Sequence, residues 1–194
     1  MRIVIASNNA NKRKEMIAIL TGLGIEAVPA EATAFVYVDE DGETFAENAG
    51  KKAEAFAHAN RLPALADDSG LSVDALAGEP GVFSSRFAGE HADDAENNGK
   101  LLEEMRAVEE RDAHFICALH LAFPDERPPI TAEGRVDGMI LDTPDGEHGF
   151  GYDPLFYSTE LKKSFAHATA EEKASVSPRG RALRSLAEQL KSIV

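Results

Sequence analysis

The sequence predicts an α/β protein built on a mixed β-sheet with flanking helices, and three observations carry that reading. Short apolar runs alternate with helical stripes early in the chain, the pattern of strands and helices packed in layers. The middle of the chain then sets strand-like runs one after another, which suits a mixed sheet better than a purely parallel one. A chain of 194 residues with 43% hydrophobic composition suffices for one domain, or one domain with two lobes. At that size roughly 70% of the unfolded surface is buried without disulfide staples.

Each element has its own signal. Residues 2–6 read as a short buried strand. Residues 12–23 read as a helix, because Met16, Ile19, Leu20 and Leu23 recur at helical spacing and Gly24 follows as a terminator. Helices are also expected over 44–60 and over 93–110, the latter opened by Asp93-Asp94. Strands are expected over 62–66, 71–75, 114–123 and 130–141. Thr169-x-x-Glu172 forms a capping box for a short helix that carries Lys173. Ser177-Pro178 reads as the cap and first position of a last helix over 178–193, with Leu183, Leu186, Ala187 and Leu190 as its stripe. No repeat or linker interrupts the chain, so residues 1–194 are expected to form a single domain.

Composition excludes several functions. A net charge of −14 argues against wrapping nucleic acid, which rests on many cationic contacts to phosphate. The single cysteine, Cys117, lies in an apolar run and reads as a small buried hydrophobe. The apolar start of the chain is too short for a signal peptide, and no run approaches the ~20 apolar residues of a membrane span. A cytoplasmic protein with no membrane partner is therefore expected. An acidic chain that takes a polyanionic substrate needs a local basic cluster, a divalent cation, or both.

Five segments answer that need. Ser7, Asn8, Asn9, Ala10, Asn11 and Lys12 lie between a strand and a helix, where backbone N–H groups form an anion site; the same residues also suit an ordinary polar turn. On the 44–60 helix, at roughly 100° per residue, Phe45, Ala49, Ala53 and Phe56 make the apolar face and Lys52 falls inside it. A lysine there is paired, lines a cavity or snorkels. Asn48 sits at the margin, Glu47 points away, and Glu40 precedes the helix as a candidate hard-cation ligand. Asp67-Asp68-Ser69-Gly70 reads as an acidic turn between two strands, and strand alternation sends its two carboxylates to opposite sides. Carboxylates at a strand end suit magnesium, which uses one or two of them plus substrate phosphates. Gly149-Phe150-Gly151-Tyr152-Asp153-Pro154 can form a slot for a planar base, or a loop around a packed Phe. Arg179, in the first turn of the last helix, opposes the helix dipole and so marks a place for an anion.

In this order the segments resemble the inosine triphosphate pyrophosphatase family, the Ham1/RdgB-like dITP/XTP pyrophosphatases. The matching motifs are Ser7-Asn8-Asn9-Ala10-Asn11-Lys12-x-x-Glu15, Thr44-Phe45-x-Glu47-Asn48-Ala49-x-x-Lys52-Ala53, Ala66-Asp67-Asp68-Ser69-Gly70-Leu71, Pro80-Gly81-Val82-Phe83-Ser84-Ser85-Arg86 and Phe150-Gly151-Tyr152-Asp153-Pro154. The resemblance implies an elongated mixed sheet, two lobes around a nucleotide-binding cleft, and a homodimer. It implies hydrolysis of ITP, dITP and XTP to the monophosphate and pyrophosphate, which clears deaminated purines from the nucleotide pool. Residues 7–12 and Lys52 would hold the phosphates, and Glu40 and Asp68 the Mg2+. Asp68 would also accept the proton of the attacking water. Ser69, Phe150, Gly151, Tyr152, Asp153, Lys173, Pro178 and Arg179 would line the nucleotide site. The family's Ser-His-Arg is Ser177-Pro178-Arg179 here, which removes an imidazole from the base end. Two other functions compatible with the motifs are a nucleotide pyrophosphatase with another modified-base preference and a non-catalytic nucleotide sensor.

Overall fold

A computed structural model describes residues 2–29, 32–34 and 36–191, so Ile193, the expected end of the last helix, lies outside the described residues. The elements are β1 (Arg2–Ile5), α1 (Ala10–Gly22), β2 (Glu26–Ala27), α2 (Phe45–Asn60), β3 (Ala64–Val73), α3 (Asp94–Glu104), β4 (Asp112–Ala122), β5 (Ile130–Ile140), β6 (Phe156–Ser158), β7 (Lys163–Ser164), α4 (Ala170–Val176) and α5 (Pro178–Lys191). The strands are ordered β2-β1-β3-β4-β5-β6-β7. β1 runs parallel to β2 and β3, whereas β6 runs antiparallel to β5 and β7, so the sheet is mixed as expected. No helix of the described residues is long and apolar enough to cross a membrane.

The chain divides into two compact units. The first comprises Met1–Asp68, Cys117–Gly134 and Arg179–Val194. Here alternate residues of a strand serve different helices. Ile3, Ile5, Leu65, Leu119 and Leu121 pack with Met16 and Leu20 of α1 and with Leu183, Leu186 and Leu190 of α5. Val4, Ala6, Ala64 and Ala66 instead meet Ala53, Phe56 and Ala57 of α2. The apolar stripes of α1 and α5 thus do what their spacing requires.

The second unit comprises Ser69–Ile116 and Arg135–Pro178. Leu71, Val73, Val136 and Ile140 pack with Leu101 and Met105 around Phe156 and Phe165. Phe115 completes the aromatic group, its ring centroid 4.7 Å from that of Phe156. β5 pairs with β6 in the register Gly138↔Ser158 and Ile140↔Phe156.

Three expectations need correction. The segment 67–70 is not a turn between two strands: β3 runs unbroken through it. The third helix stops at Glu104 rather than 110, where Arg111 donates through Nη1 to the carbonyls of Met105 and Val108 (2.8 and 3.5 Å). The first helix begins two residues earlier than expected, at Ala10, because Asn9 caps it. Strands as short as β2, β6 and β7 are too brief to show a period and left no sequence signal.

Gly138 allows the close approach of β6. A Cβ there would overlap the Tyr157 carbonyl oxygen and the Phe156 ring. Gly138→Ala is therefore expected to cost about 1–3 kcal/mol, as overpacked sites do, and urea denaturation measures it.

Candidate active site

The first unit gathers the charged residues around β3. Asp67 and Asp68 are consecutive and both buried, at 1% and 6% exposure. As strand alternation requires, they face different partners. Asp67 follows Leu65 toward α1 and α5, and Asp68 follows Ala66 toward α2.

Asp67 enters a buried ion-pair network. Arg179 donates to its Oδ2 from Nε at 3.1 Å and from Nη2 at 2.7 Å. Lys12 Nζ lies 3.6 Å from the same oxygen. Arg179 Nη1 is paired with Glu15. Burial alone would raise the Asp67 pKa, but the Lys12 and Arg179 charges hold it well below the usual carboxylate range. Burial likewise works against the Arg179 charge, and Asp67 overrides it and keeps the guanidinium charged. The anion that the first turn of α5 called for is thus found within the protein. Cys117 Sγ sits 4.0 Å from Asp67 Oδ2. Burial, reinforced by the Asp67 charge, pushes this thiol up to about 12, so it behaves as the inert apolar residue its sequence context suggests.

Asp68 has a different environment. Asn48 Nδ2 donates to its Oδ2 at 3.1 Å, while Lys52 Nζ stands 3.9 Å from its Oδ1. The same ammonium lies 3.2 Å from Glu40 Oε1. Burial raises the Asp68 pKa above the ordinary value, and the Lys52 charge only partly offsets that rise. Lys52 is 9% exposed, in the apolar face where its helical position put it. Asn48 also accepts from the Gly42 N–H at 2.8 Å, which ties the Glu40 loop to the helix that carries Lys52. Its contribution was half-visible in the sequence: it lies four residues before Lys52, on the same side of α2. Glu47 serves α2 as the return arm of its capping box with Thr44, accepting from the Glu43 and Thr44 amides.

The segment before α1 behaves as a capped helix start. Asn9 Oδ1 accepts from the Asn11 and Lys12 amides at 2.9 and 3.1 Å, and Ser7 Oγ from the Asn9 amide at 3.3 Å. Ser7 is buried, and Asn8, Asn9, Ala10 and Asn11 are exposed.

The second unit gathers the other sequence candidates. Lys173 Nζ lies 2.6 Å from Asp153 Oδ2 and 4.6 Å from the Phe150 ring centroid. Asp153 Oδ2 also accepts from the Phe150 amide at 2.9 Å. Gly149 and Gly151 both have positive φ, 85° and 61°, and at Gly149 a Cβ would overlap the Asp153 carboxylate. Tyr152 is buried in the core and donates its hydroxyl to the Ser84 carbonyl at 2.8 Å. That hydrogen bond anchors the loop to the core. Burial, with the Asp94 charge nearby, raises the Tyr152 pKa and keeps that hydroxyl protonated. Ser69 is half-buried on β3, and Pro178 is buried as the first residue of α5.

Fold and side-chain arrangement define a class first: a mixed α/β protein whose β3 strand carries two buried carboxylates, each matched by its own cations. The chain belongs to the Ham1 family, whose sequence model matches residues 3–189. It is 50% identical over 193 residues to a dITP/XTP pyrophosphatase of Desulforamulus reducens, covering 98% of this chain and 96% of that protein. A dITP/XTP pyrophosphatase of Thermus thermophilus is also 50% identical, with 98% and 92% covered. Among solved structures, a HAM1 protein from Coxiella burnetii matches with a TM-score of 0.88 at 41% identity, over 99% of both chains. The Staphylococcus aureus Ham1 protein matches with a TM-score of 0.88 at 38% identity, over the full length of both.

The Asp67 network makes a stability prediction. Asp67→Ala leaves the buried Arg179 without its main partner, and loss of one member of a buried pair costs about 3–5 kcal/mol. Chemical denaturation of the variant is expected to show a loss of that size.

Proposed function

We propose that this chain hydrolyses non-standard purine nucleoside triphosphates, ITP, dITP and XTP, to the nucleoside monophosphate and pyrophosphate, with magnesium, and so removes deaminated purines from the nucleotide pool. Membership of the Ham1 family and the printed activity of its relatives, dITP/XTP pyrophosphatase, support this reading. The observation that carries it is the buried Lys52 ammonium set between the Glu40 and Asp68 carboxylates. Two acidic side chains converging on one cation form a hard-oxygen site, and magnesium takes one or two carboxylates together with substrate phosphates.

In this reading Asp68 orients a water toward the α-phosphorus and takes its proton. The new bond joins the water oxygen to that phosphorus, and the bond to the pyrophosphate oxygen breaks. Burial suits Asp68 to this role, because a raised pKa makes a stronger base. Lys52, together with Lys12 and the rest of the 7–12 segment, binds the triphosphate and opposes the charge that develops on it. Magnesium, held by Glu40 and Asp68, supplies further positive charge when bound. Phe150, Gly151, Tyr152, Asp153 and Lys173, with Ser69 and Pro178, serve the nucleoside end, Phe150 offering a ring face to a planar base. Arg179 supports the site by holding Asp67, and through it Lys12, in place. The family resemblance also supports a homodimer that works in the cytoplasm.

One incubation of ITP, dITP, XTP, GTP and ATP with and without magnesium tests the reading, with pyrophosphate and orthophosphate detected separately. Pyrophosphate from the first three, only with magnesium, is the expected outcome. Binding without release of either product would make the protein a sensor instead. Asp68→Asn is expected to lower turnover by about a hundredfold to ten-thousandfold, the worth of a positioned base. It should stay folded, since a neutral isostere replaces a carboxylate whose ionised form is disfavoured by burial. Retention of normal turnover at saturating magnesium would refute the role of Asp68. With Pro178 in place of the family's histidine, one polar contact to the purine edge is missing. The preference for ITP over GTP should therefore be smaller than that of a histidine-bearing relative assayed alongside.

A further inference from the structure

Within the second unit, the start of α3 holds the Phe150 loop from outside. Asp94 Oδ2 accepts from the Gly151 amide at 2.6 Å, and Asn98 Nδ2 donates to the Gly151 carbonyl at 2.8 Å. The two side chains are four residues apart, one turn of helix, so they present one acceptor and one donor side by side. Together they take both polar groups of a single glycine, as a neighbouring strand would. Neither contact is needed by α3 itself. Its N-terminus is already closed by the Asp93–Glu96 capping box, which leaves the Asp94 carboxylate to reach outward.

Gly151 needs such a restraint. It is left-handed, at φ 61°, and half-buried, with no neighbour within 4 Å of where a Cβ would stand. Glycine reaches more backbone states than any other residue, and two hydrogen bonds to its own peptide groups select one of them. On its other side the loop is held by Asp153, which accepts from the Phe150 amide and pairs with Lys173. Asn98 also donates to the Asp94 carbonyl at 2.6 Å, which fixes which way its amide points. Its Oδ1 is then buried with no hydrogen-bond partner among the described residues, an arrangement that stability alone would not favour.

We propose that Asp94 and Asn98 are positioning residues for nucleotide recognition: they clamp the Gly151 peptide and so set the Phe150 ring and the Asp153–Lys173 pair for the nucleoside. The inference rests on the role given above to Phe150. It predicts an effect on substrate affinity rather than on the chemical step, because the clamp acts through the Gly151 peptide on the residues given the nucleoside-binding role.

The test compares five variants for KM and kcat with ITP and magnesium, with thermal unfolding as a check on folding. It also follows hydrogen exchange in the 147–153 segment. Asp94→Ala and Asn98→Leu should each raise KM about threefold to tenfold, the worth of one hydrogen bond, with kcat within about twofold. Both should speed exchange in the segment. Asp94→Asn keeps an acceptor and should stay close to the parent. Asn98→Asp sets a carboxylate against the Gly151 carbonyl and should be worse than Asn98→Leu. Phe150→Leu reports on the reading beneath the inference and should raise KM by itself. If it raises KM while Asp94→Ala and Asn98→Leu do not, the clamp is refuted and the nucleoside site stands. If Phe150→Leu leaves KM unchanged, the base-contact role falls and the inference falls with it. Asp94→Ala lies on an exposed first turn, so a readable variant remains should Asn98→Leu fail to fold.

Discussion

Two carboxylates placed side by side in a buried strand are the constraint on which much of this protein depends. A β-strand sends neighbouring side chains to opposite faces, so Asp67 and Asp68 make their hydrogen bonds and close ion pairs with different residues. Asp67 meets Arg179 and Lys12, whose combined charge outweighs the cost of its burial. At Asp68 burial wins over the more distant charges of Lys52 and Lys12 and the Asn48 amide. The same side chain, shifted by one residue, becomes a fixed structural anion in one case and a base candidate in the other.

That difference sorts the basic residues as well. Arg179, with its planar fork, is engaged by Asp67 and Glu15, which suits a guanidinium inside a protein. Lys52 is a compact charge on a flexible stem, paired with two carboxylates at 3.2 and 3.9 Å. Asn48 links the Glu40 loop to Asp68 and keeps this arrangement from depending on charge alone.

In the second unit the organising problem is conformational. The Gly149–Asp153 loop contains two left-handed glycines, and each is restrained by a different means: Gly149 by the Asp153 carboxylate packed against it, Gly151 by hydrogen bonds from α3. Tyr152 follows them, turns into the core and anchors the loop through Ser84. Phe150 is thereby held on a segment whose own sequence would leave it loose.

The helix stripes, the mixed sheet, the capping box at Thr169, the start of α5 at Pro178 and the buried place of Lys52 are legible in the sequence alone, because each follows from a local period or a local hydrogen bond. It also separated Asp67 from Asp68 by strand alternation. Only the tertiary structure decided that Asp67-Asp68-Ser69-Gly70 is strand rather than turn. Those residues favour turns when their polar groups must find local partners, and here Lys12, Asn48, Lys52 and Arg179, distant in sequence, provide them. Nor could local pattern show that Arg179 answers an internal anion, or that Asp94 and Asn98 grip a glycine far along the chain. Pairings across such sequence distances leave no period to read, so they become visible only once the chain has folded.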